Sequence, residues 1–162
     1  MGATLRVTTG GKTFTHDLER FGANGRNMRP ALAKIAQVQV DAVRDQFRTQ
    51  GRHYGARWAS LSPRYKVRKM RVKPGRPILV YSGKLKSMAA PVRAENGGVY
   101  KVTAKRAEVG LTDTQVPYAK YHQDGGKTMP ARPFLAAPTR KDQKAMVSVI
   151  HDHLVHGVRG VS

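Results

Sequence analysis

The strongest constraint on the fold is a helical pattern of apolar residues between Pro30 and Gly51. This period places the apolar side chains on one face of an α-helix, Pro30 suits the first turn, and Gly51 ends the helix. Val38 and Val40 lie off the stripe, and in an oligomer they would form a second stripe that faces another subunit. The stripe itself, at spacings of three, four, seven or their sums, consists of Leu32, Ile35, Ala36, Ala42, Val43 and Phe47.

Shorter patterns on both sides of this helix predict a small antiparallel sheet and a second long helix. Alternation over Leu5–His16 around Gly10-Gly11 predicts an N-terminal β-hairpin, and Gly22–Asn27 reads as a polar loop. Thr139 is a suitable N-cap for a C-terminal helix whose inward residues are Ala145, Met146, Val149, Ile150 and Leu154. The other predicted elements are a brief helix at Lys84–Ala89, strands at Ala90–Ala94, Val99–Thr103 and Ala107–Leu111, one helical turn at Tyr118–His122, and an extended Met129–Leu135.

These elements predict an α+β fold in one domain. Two longer helices flank the small antiparallel sheet, and the domain is expected to cover residues 1–156, with a flexible tail at 157–162. With 162 residues the chain is long enough for one domain with its own core.

The segment Arg52–Pro77 has no clear period and is rich in proline, glycine and basic residues. A structureless loop of this length inside a compact domain is usually functional, so the sequence predicts a long basic loop, or arm. Trp58 lies at its start, followed by Leu61, and we interpret the indole as a buried anchor that pins the loop to the core. The basic residues of the predicted arm are Arg64, Lys66, Arg68, Lys69, Arg71, Lys73 and Arg76.

The charge balance narrows the class of partner. The 30 Lys and Arg residues against 10 Asp and Glu give a net charge of +20, which attracts nucleic acid, an acidic protein or an anionic membrane. No apolar run approaches the length of a membrane span and no secretory signal precedes the first strand. We therefore expect a soluble protein made in the cytoplasm, without a membrane partner.

The sequence contains no motif that indicates an active site. The chain has no cysteine, which excludes thiolate chemistry and disulfides. Gly11-Lys12-Thr13 and Gly126-Lys127-Thr128 lack the upstream glycine of a phosphate-binding loop. His151, His153 and His156 cluster near Asp152 but have no third ligand at a suitable spacing. The sequence thus predicts no catalytic residue, no metal and no cofactor.

Several short motifs occur in a characteristic order. After the helix ending in Phe47 come Gly55–Pro63 and the basic stretch, then Ile78–Leu85, which contains Ser82-Gly83-Lys84-Leu85. Tyr118-Ala119-Lys120-Tyr121-His122-Gln123 and Ala131-Arg132-Pro133-Phe134-Leu135 follow. As an ordered set these motifs resemble the phage virion morphogenesis family, the tail-completion and Mu-like minor virion proteins of long-tailed phages. The resemblance runs from about Leu5 to Leu154.

The resemblance implies a structural protein at the head–tail junction of a tailed phage virion. It would be a neck or tail-completion (tail terminator) subunit in a ring, with six-fold symmetry expected, made in the host bacterial cytoplasm. The implied partners are copies of the same chain, the neighbouring connector and tail tube proteins, and the double-stranded DNA that passes through. The basic arm would reach a neighbouring subunit. The motif residues expected at the core or an interface are Trp58, Leu61, Tyr118, Tyr121, His122, Arg132 and Phe134.

Two questions stay open on sequence grounds. Arg132 can bridge to a carboxylate of an adjacent subunit or fix its own fold. The alternative function is nonspecific nucleic-acid binding by a basic monomer, which explains the charge but not the ordered aromatic and proline motifs.

Overall fold

The computed structural model describes residues 11–91, 98–112 and 116–157, with side chains from residue 19 onward. These residues form an α+β structure of helices around a two-stranded antiparallel sheet. In chain order the elements are α1 (Gly11–Arg26), α2 (Arg29–Arg48), α3 (Pro63–Val72), α4 (Lys84–Ala89), β1 (Val99–Val102), β2 (Ala107–Gly110), α5 (Ala119–Asp124) and α6 (Arg140–His156).

The predicted long helix is α2, and it is the centre of the fold. It packs against α6, both strands and α4, and Thr49 closes its C-terminal end by donating its backbone N–H to Asp45 O. Because α2 is covered from several sides, its buried arc is wider than one stripe. Val40, which we assigned to a second stripe, is fully buried in the core, so that assignment is wrong for this residue.

The core is built around three aromatic side chains from distant parts of the sequence. The Phe47 ring meets the Trp58 ring edge to face at 5.4 Å between centroids, and it lies 6.0 Å from the Phe134 ring. All three are almost completely buried. Leu85 and Met88 of α4 complete the same cluster, which joins the α2 end, the Trp58 segment and the Phe134 segment into one unit.

The sheet is smaller than predicted. β1 and β2 pair antiparallel, with Val99 opposite Gly110 and Val102 opposite Ala107, which confirms the last two predicted strands within one or two residues. Of the strand predicted at Ala90–Ala94, the structure describes Ala90 and Pro91, neither of which is in a strand. The rest of that strand lies outside the described residues.

The predicted N-terminal hairpin is wrong where the structure describes it. Residues from Gly11 onward belong to α1, and the predicted polar loop at Gly22–Asn27 is mostly its last turn. α1 packs against α6, and this tertiary contact outweighs a local alternation too short to separate strand from helix. The first half of the hairpin and residues 158–162 of the predicted tail lie outside the described residues.

The predicted basic loop is also wrong, because its centre is a helix. Ser62 caps α3 by accepting a hydrogen bond from Tyr65 N at 3.4 Å, and Pro63 occupies the first turn. These are helix-start signals, but the prediction of a loop rests on the missing apolar period. The period is faint because the apolar side chains of α3 are exposed instead of packed.

The C-terminal helix α6 begins as predicted, with Thr139 as its N-cap. Asp142 accepts hydrogen bonds from Thr139 N (2.9 Å) and Thr139 Oγ1 (2.7 Å) and so closes a capping box. His53 reaches the same carboxylate, with Nε2 3.0 Å from Oδ2, and ties the end of α2 to the start of α6. Ala145, predicted to face inward, is exposed, because Asp142 and His153 occupy the buried face.

The short elements after the sheet follow the prediction. α5 extends the expected helical turn to Asp124, and Ala131–Phe134 is without helix or strand structure. Among the described residues, no helix has both the length and the apolar character to cross a membrane.

Candidate functional site

The segment Ala131–Leu135 is fastened to α5 by one glutamine. Gln123 Oε1 accepts hydrogen bonds from Phe134 N (3.1 Å) and Leu135 N (3.2 Å), and Gln123 Nε2 donates to Leu135 O at 2.6 Å. Arg132 N donates to His122 O at 2.7 Å. The Tyr-Ala-x-x-His-Gln and Ala-Arg-Pro-Phe-Leu motifs are therefore two halves of one structural unit, and Gln123 is the residue whose role the sequence did not reveal.

Arg132 is buried and fixes its own chain. Its side chain is 4% exposed, and its Nε and Nη2 donate to the carbonyl oxygens of Ala59 (2.8 Å) and Ser60 (2.9 Å). These bonds hold the segment between Trp58 and α3 in place. Burial lowers the pKa of Arg132 from its ordinary value, and no carboxylate of the described residues forms a salt bridge with it.

Among the described helices of ten or more residues, α3 packs least against the rest of the fold. Its apolar side chains are exposed to solvent. Val67 and Met70 are each 61% exposed and Val72 is 51% exposed. Val67 and Met70 are three residues apart and so share one face of the helix, whereas Val72 lies on the other side, near Tyr65 and Lys69. Exposed apolar residues grouped on one face suit a surface that binds another macromolecule.

The seven basic residues of the predicted arm separate into two groups. Lys69 alone is buried, at 5% exposure, and its Nζ donates to Pro77 O at 2.5 Å. Burial lowers the pKa of Lys69 from its ordinary value. The ammonium group of Lys73 lies 5.8 Å from the centroid of the Tyr81 ring. The exposed members are Arg64, Lys66, Arg68, Arg71, Lys73 and Arg76.

The part of the sequence that contains α3 carries basic residues and no acidic ones. No acidic residue occurs between Asp45 and Glu95, whereas Lys and Arg recur throughout that interval. Intervening carboxylates would screen a cationic surface, and here the sequence supplies none. The positive potential of this region is therefore available to a partner.

A concave space, which we call the α3 groove, separates α3 from the rest of the fold. Its volume is about 730 Å³. Tyr65 and Lys69 of α3 line one side, while α5, the Arg132 segment and the stretch from Leu79 to Leu85 line the others. The volume falls in the range of pockets that bind ligands, roughly 300–1,000 Å³.

His122 of α5 and Tyr118, the residue before α5, line one wall of the α3 groove. Tyr118 meets the His122 ring edge to face at 5.9 Å, and Tyr121 is exposed on the same short helix. Burial and the charge of Arg132 lower the pKa of His122 from its ordinary value. Its Nδ1 is buried and has no hydrogen-bond partner in the described part of the chain.

The remaining residues singled out from the sequence lie in the core, in the α3 groove or against α1. Trp58 and Phe134 lie in the core, and Leu61 lines the α3 groove with Tyr118, His122 and Arg132. Of the histidines considered for metal binding, His153 is buried with Nε2 within 3.1 Å of Asn24 O and 2.9 Å of Asn27 O. Within residues 19–91, 98–112 and 116–157, no three histidine, aspartate or glutamate side chains form a metal-binding group.

The fold and this surface define an α+β domain with an exposed basic helix beside a partly apolar groove. The sequence profile of the phage virion morphogenesis family matches residues 11–155, which cover the elements described above except for the last residue of α6. The chain therefore belongs to the phage virion morphogenesis family, and its role lies in building the virion of a bacteriophage. Searches among curated proteins and among solved structures gave no match.

Proposed function

We propose that this chain is a structural subunit of the neck or tail-completion (tail terminator) complex. Several copies, six in the simplest arrangement, form a ring at the head–tail junction of a tailed phage. The ring closes the tail tube or joins it to the neck, and its lumen lets DNA pass. In this role the work is done by binding between surfaces, without catalysis.

The observation that carries this proposal is the exposed apolar face of α3. Val67 and Met70 form this face and are each 61% exposed, and full burial of such a side chain is worth about 1.5–3 kcal/mol. A ring subunit needs a surface of this kind to reach its neighbour. Membership of a virion morphogenesis family supports an assembly role for that surface.

The test is electron microscopy of particles produced by a phage that lacks this gene. We expect DNA-filled heads beside unattached tails. Tails of normal length would indicate completion or joining, and tails of excess length would indicate termination. Complementation with the intact gene should restore joined particles. Intact, infectious particles without the gene would contradict the proposal.

A second candidate function is nonspecific nucleic-acid binding, favoured by the acid-free interval between Asp45 and Glu95. A stable monomer whose affinity for duplex DNA falls steeply with salt would support it. The same monomer would count against the ring.

A further inference from the structure

The α3 groove combines basic groups with apolar walls in a way that the ring proposal does not use. Lys69, His122 and Arg132 all line it, and none of its lining residues is acidic. Leu61, Leu79 and Leu85 form apolar parts of the same wall. A site of this composition fits a ligand with a carboxylate beside an apolar side chain.

We propose that the α3 groove is a docking site for an acidic segment of a partner protein. A carboxylate of the partner meets Lys69, His122 and Arg132, and a neighbouring large apolar side chain fills the space along Leu61, Leu79 and Leu85. This inference concerns the chemistry of the partner and goes beyond the proposed function, since it does not require a ring.

The charges of the groove support an anionic ligand. A buried cation is costly unless it is paired, yet Lys69 and Arg132 have only backbone carbonyl oxygens as hydrogen-bond acceptors in the described part of the chain. An ammonium group has three donor hydrogens, and the structure gives Lys69 one acceptor. His122 Nδ1 is a further buried polar atom without a partner. An incoming carboxylate would satisfy donors that the chain leaves unpaired.

The shape of the groove favours a peptide over duplex DNA. A duplex presents broad, hydrated phosphate rows that are contacted from a protein's outer surface. Such contacts suit the exposed arginines of α3, whereas Lys69 and Arg132 are at least nine-tenths buried. A phosphate backbone offers no apolar side chain to bury against the apolar walls of the groove. An extended peptide does offer such side chains.

A second copy of the chain fits less well than an acidic partner. Each copy carries +20 net charge, so bringing an unshielded copy into a cationic groove is opposed by long-range repulsion. An acidic segment of a different protein gains from the same field. Charge complementarity therefore favours an acidic segment of another protein over a second copy of this chain.

The test begins with selection from a library of random displayed peptides on the intact protein. We expect selected sequences in which Asp or Glu adjoins a large apolar residue. The most enriched peptide is then titrated calorimetrically, beside a matched peptide with Asn or Gln for each acid. Loss of the carboxylates should weaken binding at least about ten-fold. A failure to select ligands, or selected ligands without acids, would overturn the proposal.

Variants of the protein separate the groove from general attraction to a basic helix. Lys69→Gln should weaken the acidic peptide about ten-fold, and His122→Gln should weaken it to a smaller extent. Lys66→Gln removes the same charge from the exposed surface of α3 and should change affinity less than about two-fold. If Lys69→Gln unfolds, His122→Gln and the matched peptide still decide. Equal loss in Lys66→Gln and Lys69→Gln, or complete competition by random-sequence duplex DNA, would refute the groove as the site.

Discussion

Gln46 and Trp58 donate hydrogen bonds to the same backbone oxygen, Pro133 O, at 2.8 and 2.9 Å. Gln46 is fully buried in the last turns of α2, and its Oε1 also accepts a hydrogen bond from Tyr54 N at 3.1 Å. A backbone carbonyl oxygen has two lone pairs, so Pro133 O can accept both hydrogen bonds at once. One glutamine thus joins α2, the loop after it and the Pro133 segment.

Gln46→Ala should lower the free energy of unfolding by about 1–3 kcal/mol, because it removes two buried hydrogen bonds and leaves Tyr54 N without its acceptor. Chemical denaturation monitored by Trp58 fluorescence measures the change. Gln37→Ala is the matched control on the same helix, since the Gln37 side chain bonds only Asp41 at the surface. Equal effects of the two substitutions would show that the shared carbonyl does not tie the fold together.

Gly51 allows the chain to turn sharply after α2. Its φ is +109°, and a Cβ there would come within 2.6 Å of Trp58 N and 2.7 Å of Ala56 O. Gly51→Ala combines an unfavourable backbone region with a backbone clash, so we expect a loss of about 2–4 kcal/mol. Gly55→Ala is the control, because Gly55 also has positive φ but nothing within 4 Å. Thermal unfolding of both variants separates the clash from the strain, and a Gly51→Ala protein as stable as Gly55→Ala would rule out the clash.

The contacts of Asp142 predict an acid-sensitive link between α2 and α6. Burial would raise the pKa of this carboxyl, but hydrogen bonds from Thr139 and His53 outweigh it and hold the pKa below its ordinary value of 3.8. The folded state therefore binds a proton less readily than the unfolded state. The resulting stabilisation is complete above the ordinary pKa and is lost as the pH falls through the lower, folded value.

Asp142→Asn should lower the free energy of unfolding by about 1–2 kcal/mol near neutral pH, since the capping box loses its charged acceptor. Its stability should then fall less than that of the wild type under acid conditions. Denaturant titrations at a series of pH values measure both effects. Asp152→Asn, on the exposed surface of α6, is the control. A parallel acid loss in Asp142→Asn and wild type would contradict the assignment.

His122 should titrate below the ordinary histidine pKa of about 6.5, because burial and Arg132 disfavour its charged form. The unfolded state then takes up a proton before the folded state does, so stability falls as the pH drops below about 6.5. NMR titration of the histidine ring protons, assigned with His122→Gln, measures the value directly. A His122 pKa at or above the ordinary histidine value of about 6.5 would contradict the described environment.

The sequence predicted the elements whose apolar residues face the core of their own domain. α2, α4, the β1–β2 hairpin and the Thr139 cap were all recoverable, because burial imposes a period or a capping residue on each. The role of Trp58 followed from its large area. For these elements local pattern and tertiary contact agree.

Predictions from the sequence are wrong where side chains are exposed or pack against a distant part of the chain. The sequence predicts a loop in place of α3 because Val67, Met70 and Val72 are exposed and leave no one-sided apolar stripe. Ser62-Pro63 is nevertheless a usable helix start. The predicted hairpin at Leu5–His16 and the predicted loop at Gly22–Asn27 both overlap α1, whose packing partner, α6, lies far along the chain. The α3 groove was not predictable either, since Lys69 and Arg132 come together only through the tertiary fold.

The exposed face of α3 gives the sharpest test of assembly. Met70→Asp should leave the fold intact, because Met70 is 61% exposed, but it should block oligomers by placing a carboxylate in an apolar interface. Val147→Asp, at 64% exposure on α6, introduces the same charge elsewhere and should assemble normally. Analytical ultracentrifugation with circular dichroism compares the three proteins. Normal rings from Met70→Asp would show that this face of α3 is not the contact between subunits, and the exposed Tyr121 of α5 would be the next candidate.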